Sequence, residues 1–230
     1  MSQEVKNMFS AISSDYDRMN DLITFRMHRK WKRKLVELCE PKIGDRVLDC
    51  ASGTGDLAIL FKEKVGTQGK VIATDFNKEM LALIKPKAES KNLEIEVEET
   101  DVMNLKYTYN TFDIASISYG IRNVDDPKKC LQEMSRTVKD GGKIAVLETG
   151  KPNIFFRPFY IIHCKAIIPI LGKLIARNKA AYQYLPQTAS KFPYAEKFVE
   201  MMEETGMLEE IKSYPQMFGV SYIYIATVAK

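Results

Sequence analysis

A short glycine loop joins a strand-like segment, RVLDC at 46–50, to a helix-like one, DLAILFKEK at 56–64: it reads Ser52-Gly53-Thr54-Gly55-Asp56. Glycines suit such a loop because the backbone must turn sharply and let a ligand approach where a Cβ would block it. Gly53-x-Gly55-x-x-Ala58 is a loose match to the dinucleotide fingerprint. Charge decides between the candidate ligands. A pyrophosphate sits well at a helix N-terminus, but here Asp49 and Asp56 bracket the loop and no Lys or Arg lies between them. Two carboxylates repel a diphosphate and suit a ligand carrying a sulfonium and an α-ammonium group. S-adenosyl-L-methionine (SAM) has both and no phosphate, so it is the cofactor expected at Asp49, Gly53, Thr54 and Gly55. Asp75 ends the next strand, where a carboxylate can accept hydrogen bonds from both ribose hydroxyls and would repel a 2′-phosphate. Asp101 follows the third strand in the matching place, within reach of an adenine amino group.

The elements that must position these residues alternate. Strands are expected at 46–50, 70–75, 95–100, 112–118 and 143–149, with helices between them at 56–64, 77–91 and 126–139. Asn77 is placed to cap the second of these helices, and the turn Asp140-Gly141-Gly142 precedes the fifth strand. Strands separated by helical patterns of 10–15 residues imply parallel β-α-β units and an α/β fold with a doubly wound, mostly parallel sheet. A last helix at 194–206 precedes two strands near 208–214 and 222–229. Their connection is too short for a crossover helix, so they should pair antiparallel.

Two segments stand outside this alternation, which otherwise runs through one domain, 1–230. Residues 1–43 look helical, with Met27, Trp31, Leu35 and Leu38 at helical spacing, and form an N-terminal cap. Residues 151–191 are aromatic and apolar without a strand-helix cadence, which marks a substrate lid insert.

The chain has 230 residues, 45% hydrophobic and 28% charged, values that exclude disorder as the main state. No apolar run reaches the ~18–20 residues of a membrane span. The four cysteines form no C-x-x-C pair, and the N-terminus MSQEVKNMF has no apolar leader. Both point to the cytoplasm, and two histidines leave little for a metal site. A net charge of +4 excludes nucleic-acid binding by bulk charge, yet RMHRKWKRK at 26–34 is a local basic patch. That patch is either a solvated helix face, a docking site for anionic lipid with Trp31 at the interface, or an RNA contact. Against RNA, the chain has no aromatic-basic alternation of the kind that stacks bases, so nucleic acid is not an expected partner.

With these residues in view, VLDCASGTGD (47–56) resembles the glycine loop of class I SAM-dependent methyltransferases. Its form is similar to that of the quinone C-methyltransferases of menaquinone and ubiquinone biosynthesis, the UbiE/MenG type. YDRMNDLITFRMHRKWKR (16–33), ISYGIRNVDD (117–126), LETGKP (147–152) and AYQYLPQTASKFP (181–193) extend the resemblance over most of the chain. It implies a seven-stranded sheet with an antiparallel last strand, and SAM contacts at Thr54, Asp75, Asp101, Val102 and Ser118. Ser52, LETGKP and the C-terminal YIYIATVAK depart from the family's usual forms.

The implied reaction is C-methylation of a polyprenylated quinol: demethylmenaquinol first, 2-methoxy-6-polyprenyl-1,4-benzoquinol as the alternative, RNA or another small molecule as a more distant one. Such a ring needs its hydroxyl deprotonated and the resulting charge stabilised. Arg122 suits the charge, Asn123 can hold a quinol oxygen, and Tyr119 and Tyr16 stand near the same mouth. His28 is the side chain there that titrates near neutrality. Phe155, Phe156, Phe159, Ile161 and Ile162 suit a prenyl tail, with a homodimer interface as the other reading. The expected location is cytoplasmic, with peripheral contact on the inner face of an anionic membrane.

Overall fold

The computed structural model describes residues 3–168, 170, 188–189 and 191–230. Three helices come first: α1 (Gln3–Ile12), α2 (Tyr16–Ile23) and α3 (Met27–Cys39). The alternating part follows as β1 (Arg46–Cys50), α4 (Asp56–Val65), β2 (Lys70–Asp75), α5 (Lys78–Leu81), α6 (Ile84–Glu89), β3 (Glu96–Glu99), β4 (Phe112–Ser118), α7 (Pro127–Thr137) and β5 (Val138–Thr149). After α8 (Arg157–Ile162) come α9 (Glu196–Glu203), β6 (Leu208–Gln216) and β7 (Ser221–Val228).

The strands form one seven-stranded sheet in the order β3-β2-β1-β4-β5-β7-β6. β1 pairs in parallel with β2 and β4, and β7 pairs antiparallel with both β5 and β6. The expected doubly wound sheet with an antiparallel last strand is therefore what the chain forms. Strand order reverses between β1 and β4, and the C-terminal ends of such strands open a crevice. The glycine loop leaves β1 there, and Tyr119 to Asn123 leave β4 there.

Side-chain alternation divides the core into two layers. Val47 and Ile114 pack with Trp31, Leu35, Leu57 and Phe61 on one face, under α3 and α4. Leu48, Cys50 and Ile117 pack with Leu131, Met134 and Phe198 on the other, under α7 and α9. Residues 47–50 are all buried, as a central parallel strand requires.

Two expectations change in detail. The helix read over 77–91 breaks into α5 and α6, because Pro86 has no N–H to offer the carbonyl of Ala82. The Asp140-Gly141-Gly142 turn is absorbed into β5 as an irregularity, where pairing jumps from Phe112↔Val138 to Ile114↔Lys143.

Asn77 does more than cap. Its Oδ1 accepts from Met80 N at 3.0 Å, while Nδ2 donates to Lys6 O at 3.0 Å and to Ser10 Oγ at 2.9 Å, tying α1 across the end of β2. Asn77→Ala should cost about 1–3 kcal/mol, a lost cap plus buried groups left unpaired. Urea unfolding measures this, and a loss below about 0.5 kcal/mol would contradict the assigned role.

Candidate active site

Two cavities open at the crevice. The larger, about 470 Å³, is lined by Asp49, Gly53, Thr54, Ser118, Tyr119, Arg122 and His28, together with Phe156, Phe159, Ile162 and Ile168 of the insert. The smaller, about 60 Å³, is lined by Gly53, Asp75, Asp101, Val102, Ser118 and Asn123, with Lys6 and Phe9 of α1 over it. Tyr16, Ala51, Gly53, Ser118 and Tyr119 border both cavities and form the wall between them.

Asp75 accepts from Gly53 N and from Asn77 N, each at 2.8 Å, and burial raises its pKa against the pull of these amides. Asp49 accepts from Ser116 Oγ at 2.8 Å, while its Oδ2 is buried without a partner. Burial pushes the Asp49 carboxyl up to about 6, with the hydrogen bonds from Ser116 and Ser52 and the charge of Lys32 opposing. Thr100 Oγ1, Ser118 Oγ and Asn123 Oδ1 are also buried and unpaired around the same crevice. Orphaned acceptors of this kind call for a ligand rich in donors, and the ammonium, ribose hydroxyls and adenine amine of SAM are such donors. The set of residues present fits SAM.

Other expected residues take different places. Gly55 lines neither cavity; at φ +81° it starts α4, and a Cβ there would meet Ile84 Cγ2 at 2.9 Å. Thr54 Oγ1 donates to Asp17 Oδ1 at 2.6 Å, which fastens α2 onto the loop. Asp101 is exposed and accepts from Met103 N at 2.9 Å, with Val102 buried beside it. Asp56, read from sequence as a free charge beside the ligand, is instead neutralised by Lys32 at 3.0 Å and by Lys87. Burial alone would raise its pKa, but these two ammonium groups hold it well below the usual range. Asp49 therefore carries the local negative charge of the loop.

Arg122 and Asn123 were expected to face the substrate together, and the chain separates them. Successive residues of the turn Ile121–Asn123 point in different directions, so Arg122 lines the larger cavity and Asn123 the smaller. Arg122 is 7% exposed; its Nη1 donates to Glu148 Oε1 at 2.5 Å and its guanidinium lies 5.6 Å from the Tyr119 ring centroid. Burial would depress the Arg122 pKa, but Glu148 outweighs it, so the group stays charged. Glu148 is given no role from sequence, although it stands in the LETGKP segment as a carboxylate near the end of an apolar strand. Tyr119, on the same wall, bonds Ser221 Oγ through its hydroxyl at 2.9 Å.

His28 is not a surface histidine. It is 3% exposed, lines the larger cavity and holds Asp21 Oδ1 through Nε2 at 3.0 Å. Trp31, read as a lipid-interface side chain, is buried at 6% in the core and also lines this cavity. Of the basic patch, Arg26 and Arg29 pair with Asp21, and Lys32 with Asp56. Of the AYQYLPQTASKFP segment, residues 181–187 and 190 lie outside the described residues.

Comparison with known proteins agrees with this geometry. The model of the ubiE/COQ5 methyltransferase family matches residues 1–228. The chain is 44% identical to the Ubiquinone/menaquinone biosynthesis C-methyltransferase UbiE of Bdellovibrio bacteriovorus, over 97% of this chain and 95% of that protein. It is 39% identical to the demethylmenaquinone methyltransferase of Bacillus cereus, over 97% and 94%. Among solved structures, a SAM-dependent methyltransferase of Thermotoga maritima superposes with TM-score 0.68 at 19% identity, covering 96% of this chain and 98% of that one. The [4+2]-cyclase SpnF superposes with TM-score 0.71 at 14% identity, covering 100% and 96%. Likeness at such low identity speaks for the fold alone. The match along nearly the whole sequence does more: the chain belongs to the ubiE/COQ5 methyltransferase family and is a SAM-dependent methyltransferase.

Proposed function

We propose that the protein methylates a ring carbon of a polyprenylated quinol, demethylmenaquinol first, with 2-methoxy-6-polyprenyl-1,4-benzoquinol as the alternative ring. The observation that carries this reading is an apolar cavity of about 470 Å³ holding one buried guanidinium, Arg122, beside the glycine loop. A fused or substituted ring fits the apolar walls, and a phenolate oxygen is the charge Arg122 would stabilise. Names of relatives in Bdellovibrio bacteriovorus and Bacillus cereus support both quinone pathways. RNA is disfavoured by the cavity's surroundings: Phe25, Phe155, Phe159, Ile162 and Phe218 are exposed apolar side chains, where a polyanion needs cations.

When bound, SAM supplies a methyl group activated by its sulfonium. Asp49 would hold its ammonium group, Asp75 its ribose, and Asp101, Val102 and Asn123 its adenine end. The cavity walls exclude water, and Arg122 holds the ring oxygen whose charge drives the carbon. The insert's Phe156, Phe159 and Ile162 would lead the tail outward, a role for which the dimer reading of that surface has no comparable support in the cavity lining.

Access to a lipid-dissolved tail calls for work at a membrane surface. No helix among the described residues is long and apolar enough to cross one. Lys30, Arg33 and Lys34 form no ion pair among the described residues, whereas Arg26, Arg29 and Lys32 are engaged. Peripheral docking therefore rests on those three cations and on the exposed Phe25, Phe155 and Phe159, not on Trp31.

Four measurements test these assignments. Labelled SAM offered with each reduced quinol, and with tRNA as control, should label a quinol and not the tRNA; labelled tRNA alone would overturn the substrate. Arg122→Met combined with Glu148→Gln, which avoids stranding a buried carboxylate, should lower kcat about 10²–10³-fold while SAM binding holds. SAM affinity should fall below pH about 6, by up to about tenfold per unit, as Asp49 takes a proton and loses its charge. Calorimetry with Asp49→Asn should show weak binding without that pH dependence. Finally, replacing Lys30, Arg33 and Lys34 by Gln should reduce binding to anionic vesicles and activity on long-tailed quinol there, while sparing a short-tailed analogue in solution. Each lost cation is worth about 1 kcal/mol at such a surface, and equal losses on both substrates would contradict docking.

A further inference from the structure

Deprotonating the quinol hydroxyl needs an acceptor, and Arg122 cannot be one while Glu148 keeps it charged. The cap helices supply a different group to the cavity that Arg122 lines. Asp21 of α2 receives Arg29 Nε on Oδ1 at 2.6 Å and Arg29 Nη2 on Oδ2 at 2.9 Å. Burial works to raise the Asp21 pKa, but the hydrogen bonds from His28 and Arg29 overcome it, and the carboxylate stays ionised. An ionised carboxylate only accepts. The hydrogen between His28 Nε2 and Asp21 Oδ1 therefore belongs to the imidazole, and Nδ1 keeps the basic lone pair. No hydrogen bond among the described residues engages Nδ1, and the ring lines the cavity that Arg122 lines.

We infer that Asp21 and His28 form a base dyad, in which His28 Nδ1 takes the quinol hydroxyl proton and Asp21 fixes the ring's tautomer. This deepens the quinol reading above and rests on it. The O–H bond breaks, the proton moves to Nδ1, and the electron pair stays on the oxygen beside Arg122. After the carbon has taken the methyl group, its C–H bond breaks, the electron pair restores the aromatic ring and the proton passes to solvent, while the imidazolium returns its own proton to the oxygen. His28 is the catalytic member; Asp21 is a positioning residue, itself held by Arg29.

The charged surroundings suit a base that is neutral at rest. Burial lowers the His28 pKa from its ordinary 6.5, Lys32 on the same helix lowers it further, and Asp21 and Asp56 oppose. Asp49, Arg122 and His163 line the same cavity.

The chain has two histidines, so nitrogen-edited NMR of the full-length protein can follow His28 directly. The expected spectrum at pH 7.5 shows a neutral ring protonated on Nε2, and Asp21→Asn should abolish that single-tautomer signature. An imidazolium, or a ring protonated on Nδ1, would overturn the dyad whatever the enzyme's activity. In assays with saturating SAM and a reduced short-tailed quinol, kcat should fall as pH drops through a value below 6.5. His28→Asn should remove that limb and cut kcat by at least about 100-fold, the usual worth of general-base catalysis, with SAM affinity unchanged. Wild-type kcat retained in His28→Asn overturns the dyad alone. A wild-type protein that binds SAM and methylates neither quinol overturns the substrate reading instead, and the dyad's role with it.

Discussion

Asp75 closes β2 with one carboxylate oxygen on Gly53 N and the other on Asn77 N, both at 2.8 Å. The first contact fixes a loop that also bonds Thr74 O through Ser52 N at 2.9 Å, so the turn after β1 is keyed to the end of β2. The second orients Asn77, which caps α5 and reaches over to α1. One buried carboxylate thus sets the glycine loop, the start of the next helix and the cap above them. Carboxylates tolerate burial only where donors surround them, and the backbone amides of a glycine turn supply donors without side chains in the way. The oxygens keep further lone pairs, so the residue that builds the crevice can still receive hydroxyl groups there.

Glu148 and Arg122 meet a similar constraint on the far side of β4. A buried ion pair adds little net stability, because desolvating both charges offsets most of their attraction. What it does achieve is placement: the guanidinium is anchored by Glu148 and flanked by the Tyr119 ring, with its charge directed to an apolar cavity. In such surroundings a fixed charge acts on a developing phenolate more strongly than it would in water.

Much of this arrangement is legible in the sequence because it is local. Apolar runs bounded by Gly, Asp and Asn gave the strands, the short link before β7 gave its antiparallel sense, and Gly53, Asp49 and Asp75 stand at strand ends where a ligand must bind. Long-range pairing was not legible. Lys87, 31 positions beyond Asp56, cancels a charge that looked free, and Glu148 finds Arg122 across 26 positions. Helical periodicity showed that Trp31 shares a stripe with Leu35, yet not that the stripe faces the sheet. Likewise, adjacent letters Arg122 and Asn123 cannot reveal a turn that sends one side chain to each cavity.

The wall shared by the two cavities limits how this enzyme can change. Ser118, Tyr119 and Gly53 border both spaces, so a substitution in the wall alters the fit of donor and acceptor at once, and its effects on the two KM values cannot be separated. Drift toward a different ring or tail is open only at positions that border the larger cavity alone, such as Phe159, Ile162 and Met217. Divergence in acceptor preference should therefore be written in the insert and the β6–β7 turn, while the methyl-donor side stays frozen.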